Sequence, residues 1–143
     1  MLLSDVIAAV ESRNNPAAMR FEPSHYAGQI KFANLALVMR YGGGGFLTTA
    51  TARMIAATSW GMFQIMGEYL YAQGYKKTLR EFLADERAQL EQFEIFINQF
   101  RFTDVQFSVL TSAQKTFFAS RYNGPGNVSV YVDAMNKAAD HGF

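Results

Sequence analysis

The spacing of apolar residues predicts a chain built mainly from helices. The first apolar positions recur at three- and four-residue intervals behind Ser4 and Asp5, which predicts a short capped helix ending near Ser12 or Arg13. The Asn-Asn-Pro run at 14–16 then favours a turn, because Asn tolerates left-handed backbone and Pro cannot continue a helix. The chain therefore opens with one helix and a sharp change of direction.

Further helices follow along the sequence. The same spacing predicts helical segments over residues 29–40, 48–57, 86–101 and 128–140, the last of them capped by Asn127. The pairs Thr78 with Glu81 and Thr111 with Gln114 are capping boxes, in which each side chain bonds the other residue's N–H group. Residues 17–28 are expected to be irregular, and no segment shows sustained alternation of period two. We therefore expect a mainly α fold with little or no β-structure.

Length and composition narrow the class of protein. With 143 residues, of which 50% are hydrophobic and 15% aromatic, the chain fits one domain spanning 1–143 with a substantial core. There is no Cys, which excludes disulfides, thiol catalysis and zinc-thiolate sites. The net charge of +1, without a basic cluster, argues against nucleic-acid binding. A globular enzyme or binding domain remains.

The chain shows no signal for membrane insertion or secretion. Charged residues interrupt each apolar stretch well before the about 20 residues that a bilayer span requires. The amino-terminal segment has no basic region, and acidic residues lie where a signal peptide would need its apolar core. We therefore expect neither stable membrane insertion nor a signal peptide.

Carboxylates are the best candidates for catalysis. The only histidines are His25 and His141, so metal sites and triads lack residues, and no metal or cofactor is expected. Glu11 ends an apolar helix, where the helix dipole disfavours negative charge and apolar neighbours favour the protonated form. A protonated carboxyl is what a general acid requires. The alternative is an ordinary exposed glutamate at a helix end.

Three ordered segments resemble a known superfamily. Glu11-Ser12, the run Ser-Trp-Gly-Met-Phe-Gln-Ile-Met at 59–66, and Tyr-Asn-Gly-Pro-Gly at 122–126 resemble motifs of goose-type lysozymes and lytic transglycosylases. Trp60 before Gly61, Met-Gly at 66–67 and the Gln-Leu-x-x-Phe spacing from 89 are similar to the phage N-acetylmuramidase (endolysin) family. In this chain His25 falls one residue late, and Glu68 stands where an aromatic residue is usual.

The resemblance implies a lysozyme-like single domain with a substrate cleft, acting on peptidoglycan. The enzyme would cut the β-1,4 bond between N-acetylmuramic acid and N-acetylglucosamine, with Glu11 protonating the glycosidic oxygen. Hydrolysis also needs a second carboxylate, which is a base about 6.5–9.5 Å from the acid in an inverting enzyme and a nucleophile at about 5 Å in a retaining one. Glu22 is the candidate, because it lies across the Asn-Asn-Pro turn from Glu11 and is the only nearby acidic residue in the segment expected to be irregular. If Glu22 points away, the muramic acid 6-hydroxyl would attack instead, and the protein would be a lytic transglycosylase.

The resemblance also implies a set of substrate-binding residues. Met62 and Gln64 would form the cleft wall, and Tyr122 would make a hydrogen bond near Glu11. Asn123 would bind a sugar N-acetyl group or hold its loop. Trp60 would either stack on a sugar or fill the core. Ser12, next to the acid, completes the set.

The biological setting follows from the same resemblance. The expected partner is the peptidoglycan glycan strand, the expected state is a monomer, and no nucleic acid or cofactor is involved. A phage lysis enzyme of this kind would accumulate in the host cytoplasm and reach the cell wall through holes made by another protein. The alternatives are a non-catalytic wall-binding virion component and a bacterial effector toxin.

Overall fold

Helices dominate the computed structural model, which describes residues 1–28 and 30–141. In chain order, the α-helices and strands are α1 Leu3–Ser12, β1 Met19–Phe21, α2 Pro23–Ala27, α3 Phe32–Tyr41, α4 Thr49–Ala56, β2 Thr58–Trp60, β3 Ile65–Met66, α5 Gly67–Ala72, α6 Leu79–Leu83, α7 Glu86–Asn98, α8 Ser112–Tyr122 and α9 Val128–His141, with a 3-10 helix at Phe107–Val109 between α7 and α8. The mainly α expectation is confirmed. Within the described part of the chain, no helix has the length and apolarity needed to cross a bilayer.

Helix α1 runs through the core and packs against α9. It ends at Ser12 as predicted, where Arg13 takes a left-handed backbone with φ 55°. The predicted cap is wrong, because the residue before the helix is Leu2, whose N–H donates to Asp5 Oδ2 at 2.9 Å. Ser4 lies inside the helix and binds the distant Asp104 carboxylate through its N–H and its hydroxyl, both at 2.7 Å.

Both predicted capping boxes are present. Thr78 Oγ1 accepts the Glu81 N–H at 3.1 Å, and Glu81 Oε1 accepts the Thr78 N–H in return. At the start of α8, Thr111 Oγ1 accepts the Gln114 N–H at 3.1 Å, and Gln114 Oε1 accepts the Thr111 N–H at 2.8 Å. These starts were predictable because each box is complete within four consecutive residues.

Helix ends differ from the sequence prediction by a few residues. The predicted 29–40 helix begins at Phe32, and its first predicted residue, Gln29, lies outside the described residues. The predicted 86–101 helix ends at Asn98, because the chain turns where Arg101 adopts a left-handed φ of 67°. The last helix begins at Val128 as predicted, and the Tyr131 N–H donates to the Asn127 carbonyl at 3.0 Å.

A small antiparallel sheet in the order β1-β2-β3 corrects the expectation that residues 17–28 are irregular. Arg20 pairs with Ser59, and Ser59 pairs with Met66, so these side chains share one face of the sheet. Trp60 is the next residue after Ser59 and therefore points to the opposite face. The strands are too short for alternation to be visible in the sequence.

Aromatic rings form the core behind this sheet. Phe63 stacks on Phe93 with centroids 4.4 Å apart, and Phe118 stacks on Tyr122 at 5.2 Å. The buried Phe93 also meets the Tyr122 ring edge-on at 5.9 Å. This cluster holds the end of α8 against the segment between β2 and β3, which is where the candidate site lies.

Candidate active site

A cleft of about 160 Å³ lies where the end of α1, the sheet and the end of α8 meet. Its lining residues are Glu11, Arg20, Glu22, Ser59, Gln64, Met66, Tyr122 and Asn123. The structure therefore brings together five of the residues singled out from the sequence, Glu11, Glu22, Gln64, Tyr122 and Asn123. A larger hollow of about 550 Å³ lies beside α8, but the described residues that line it include no carboxylate.

The Glu11 carboxyl is electrostatically perturbed by its place in the cleft. Burial raises the pKa of its carboxyl above the ordinary glutamate value, and the negative charge of Glu22 adds to that effect. A hydrogen bond from Tyr131 and the positive charge of Arg20 act in the opposite direction but do not cancel the rise. Glu11 therefore holds a proton more readily than an ordinary glutamate, as the sequence argument expected, and the main cause is desolvation.

Tyr131 is the residue that holds Glu11. Its hydroxyl donates to Glu11 Oε1 at 2.6 Å, across the α1·α9 contact. Tyr122, for which the sequence predicts a hydrogen bond near Glu11, lines the same cleft, but its hydroxyl donates to the Phe63 carbonyl. Burial raises the pKa of both tyrosines well above the ordinary value, and the charge of Glu11 adds to it. Both therefore remain hydrogen-bond donors.

Glu22 lies on the same side of the cleft as Arg20. Arg20 Nε donates to Glu22 Oε1 at 3.0 Å, and the Arg20 side chain is 73% exposed whereas that of Glu22 is 28% exposed. The two residues flank Phe21 at the end of β1, so strand alternation sends both side chains to the cleft face. The arrangement places a partly buried carboxylate and a solvent-facing guanidinium at one rim.

The segment between β2 and β3 forms another wall. Gln64 has a left-handed backbone with φ 52°, and its side-chain Nε2 donates to the Gly61 carbonyl at 2.9 Å. This bond leaves the Gln64 side-chain oxygen for a ligand. Ser59 completes the wall and donates its hydroxyl to the Met66 sulfur at 3.0 Å. Asn123 directly follows the last residue of α8 and also lines the cleft.

Three predicted site residues lie outside the cleft lining. Trp60 is only 8% exposed, and its indole N–H donates to the Ile55 carbonyl at 3.0 Å, so it fills the core. Met62 lines a separate hollow of about 320 Å³ beside α1. Ser12 donates its hydroxyl to the Met62 carbonyl at 2.9 Å, so it ties this segment to the end of α1.

His25 and Glu68 form a separate polar cluster. His25 Nε2 lies 2.8 Å from Glu68 Oε1, and the other carboxylate oxygen accepts the Lys31 N–H and the Asn34 amide. Glu68 is almost fully buried. From the sequence it was notable only because it stands where the resembled family usually has an aromatic residue. The cluster joins the segment after β1 to α3 and α5, and neither residue lines the cleft.

The site residues named from the sequence did not include Tyr131, which bonds Glu11, or three residues that line the cleft, Arg20, Ser59 and Met66, although Ser59 and Met66 begin and end the 59–66 motif. The predicted inward face of the last helix included Tyr131, but nothing local marked its partner. Arg20, Ser59 and Met66 share the cleft face of the sheet, and recognising the three strands would have identified them.

The family model for N-acetylmuramidase matches residues 8–141. The endolysin of Enterobacteria phage PRD1 is 33% identical to the chain over 141 residues, which cover 95% of this chain and 93% of that protein. No solved structure matches the chain significantly. The matched region contains every residue of the cleft.

Proposed function

Because this chain belongs to the N-acetylmuramidase family and is an endolysin-type peptidoglycan hydrolase, we propose that Glu11 is the general acid with which it cleaves the glycan strand. The bond is the β-1,4 link between N-acetylmuramic acid and N-acetylglucosamine. The observation that carries the proposal is the burial of the Glu11 carboxyl in the cleft, which favours its protonated form.

The hydrogen bond from Tyr131 supports a definite orientation of the acid. It occupies Glu11 Oε1 and leaves Oε2 to carry the transferable proton. The same bond stabilises the carboxylate that remains after transfer, because a hydroxyl donates more strongly to an anion than to a neutral acid. Tyr131 is thus proposed as a positioning residue that holds one oxygen and eases the release of the proton from the other.

Glu22 is proposed as the base that activates water. In this scheme the bond between the anomeric carbon and the bridging oxygen breaks as that oxygen takes the proton from Glu11. A water molecule then bonds to the anomeric carbon and gives its proton to the Glu22 carboxylate. The shared cleft and the Arg20 ion pair support this role, because they fix the Glu22 side chain beside the acid.

The remaining cleft residues are proposed to bind the sugars. The Gln64 side-chain oxygen and the Asn123 amide both belong to residues that line the cleft, and they offer an acceptor and a donor suited to N-acetyl groups. Tyr122, fixed on the Phe63 carbonyl, lines the same cleft. For Ser12, Trp60 and Met62 the contacts support a structural role in holding the wall.

The test of the acid is a turbidity assay on purified peptidoglycan. Glu11→Gln is expected to lose about 10²- to 10⁴-fold in rate, which is the range that general acid catalysis supplies. Glu91→Gln, on the exposed side of α7, is the matched control and retains activity. Undiminished clearing by Glu11→Gln would remove Glu11 from the mechanism, and no clearing by the unaltered protein would instead favour a wall-binding virion component.

Mass spectrometry of the products tests the role of Glu22. Hydrolysis releases fragments that have gained one water, whereas a lytic transglycosylase leaves 1,6-anhydromuramic ends that lack it. We expect hydrolysed ends from the unaltered protein and strongly reduced product from Glu22→Gln. Anhydro ends, with activity retained in Glu22→Gln, would replace the proposed base by the muramic acid 6-hydroxyl.

The setting is proposed from the same family. The chain acts on the cell wall, and we propose that it accumulates in the host cytoplasm and reaches the wall through holes made by another phage protein, as a monomer. Analytical ultracentrifugation tests the monomer, and a mass corresponding to a dimer would contradict it.

A further inference from the structure

The strand β1 is at the edge of the sheet and next to the cleft. The order β1-β2-β3 leaves the side of β1 opposite β2 unpaired by any other strand in the part of the chain that the structure describes. All three of its residues are exposed, with Met19 at 64% and Phe21 at 39%. An exposed strand edge offers unpaired backbone groups to any extended peptide that reaches it.

The register shows which backbone groups face outward. The Gly61 N–H donates to the Ala18 carbonyl, and the Glu22 N–H donates to the Ala57 carbonyl. In an antiparallel ladder the residues bonded to the partner strand alternate with residues that face away. The backbone N–H and C=O groups of residues 18, 20 and 22 therefore point toward β2. Those of Met19 and Phe21 point to the open edge of the sheet.

The same strand also carries a rim of the cleft. Arg20 and Glu22 line the cleft from this strand and the residue after it, so a glycan bound beside Glu11 lies directly next to the edge. The Arg20 guanidinium is mostly exposed and can reach an acidic group outside the cleft. In peptidoglycan, each muramic acid carries a short peptide on its lactyl group, and that peptide offers amide groups and free carboxylates.

We propose that the outer edge of β1 binds the peptide attached to the muramic acid of the substrate. Peptide amides pair with the N–H and C=O groups of Met19 and Phe21, and a peptide carboxylate bonds Arg20. This mode is strand addition, in which main-chain hydrogen bonds supply the affinity. The inference rests on the proposed function and makes the enzyme selective for glycan strands that still carry their peptides.

The kinetic test compares two substrates and two variants. The substrates are purified glycan strands with their peptides and the same strands stripped by an amidase. Met19→Pro removes an outward N–H and blocks the edge, and proline is tolerated on an edge strand where the N–H faces away. Met19→Val keeps the N–H and serves as the matched control, and thermal melting checks the fold of both.

On peptide-bearing strands, we expect kcat/KM of Met19→Pro to fall about three- to ten-fold through KM, the effect of losing one or two hydrogen bonds. On stripped strands it should equal the unaltered protein, and Met19→Val should match on both substrates. An equal loss on both substrates, or no loss on either, overturns the proposal. Failure of the unaltered protein to cleave either substrate overturns the proposed function instead.

A binding measurement decides the edge independently of catalysis. Glu11→Gln is titrated with a muramic acid disaccharide, either carrying the peptide or free of it, while NMR follows the backbone amides. We expect the Met19 and Phe21 amides to shift only with the peptide-bearing sugar. Unchanged β1 amides at concentrations that shift the Gln64 amide would overturn the proposal.

Discussion

Replacing Gln89 by Met is expected to lower the free energy of unfolding, because the Gln89 side chain holds the segment that forms one wall of the cleft. Gln89 is fully buried on α7, and its side-chain oxygen accepts the Met62 N–H at 2.8 Å. Its amide nitrogen donates to the Pro16 carbonyl at 2.9 Å and to the Phe82 carbonyl at 3.0 Å. One side chain therefore joins α7 to the turn after α1 and to the segment that carries Gln64.

The magnitude follows from the groups that lose their partners. Met has a similar unbranched shape but cannot replace these bonds. The Phe82 carbonyl keeps a bond from the Asp85 N–H, so the groups left unpaired are the Met62 N–H and the Pro16 carbonyl. Each buried unpaired group costs about 1–3 kcal/mol, which gives a loss of about 2–6 kcal/mol. That loss is a large share of the about 5–15 kcal/mol by which typical domains are stable.

Urea unfolding measures this loss, with Gln92→Met on the same helix as control. The Gln92 side-chain oxygen and backbone carbonyl both accept from Gln73 Nε2 at 2.8 Å, so Gln73 keeps one partner when the side chain changes. We expect the control to lose less than about 1 kcal/mol, the net value of one hydrogen bond. Equal free energies of unfolding for Gln89→Met and Gln92→Met would refute the claim that the Gln89 hydrogen bonds stabilise the wall of the cleft.

Three further predictions concern the acid and its support. Tyr131→Phe removes the hydrogen bond that favours the ionised form of Glu11, so the pKa of Glu11 rises and the alkaline limb of the pH dependence of kcat/KM moves to higher pH. An alkaline limb at the same pH in both proteins would show that this hydrogen bond does not affect the pKa of the acid. Glu11→Gln removes a carboxyl whose pKa is raised by folding, so at neutral pH the variant should melt at a higher temperature than the unaltered protein. The difference between the two melting temperatures should disappear as the pH falls below the ordinary pKa of glutamate. Equal melting temperatures at pH 7 would contradict this prediction. Gly61→Ala should lower the free energy of unfolding by at least about 1–3 kcal/mol, because φ is +80° and a Cβ would lie 2.6 Å from Gln89 Oε1; full stability in urea would contradict it.

Local signals predicted the helices and the position of the acid. The helix caps at Thr78 and Thr111 are each complete within four residues. The apolar residues of α1 are followed by Glu11 near the end of the helix, as the sequence predicts. The ordered motifs brought Glu11, Gln64 and Tyr122 to one cleft, as the resemblance implied. Features set by neighbouring residues were therefore accessible from the sequence.

Long-range partners decided what could not be predicted. Ser4 bonds Asp104, 100 positions away, instead of capping its own helix, and Tyr131 bonds Glu11 from 120 positions away. Trp60 lies in the core because the side chains of β2 alternate between faces and Ser59 occupies the cleft face. Strands of two or three residues are too short for this alternation to be recognised in the sequence. These outcomes depend on pairings that no single segment encodes.

The most direct test of the central claim is an NMR titration of the Glu11 side-chain carboxyl in the folded protein. The account predicts a midpoint above the ordinary glutamate value, coinciding with the alkaline limb of the pH dependence of kcat/KM on peptidoglycan. A midpoint at or below the ordinary value, or one unrelated to that limb, would contradict the assignment of Glu11 as a general acid whose pKa is raised by partial burial.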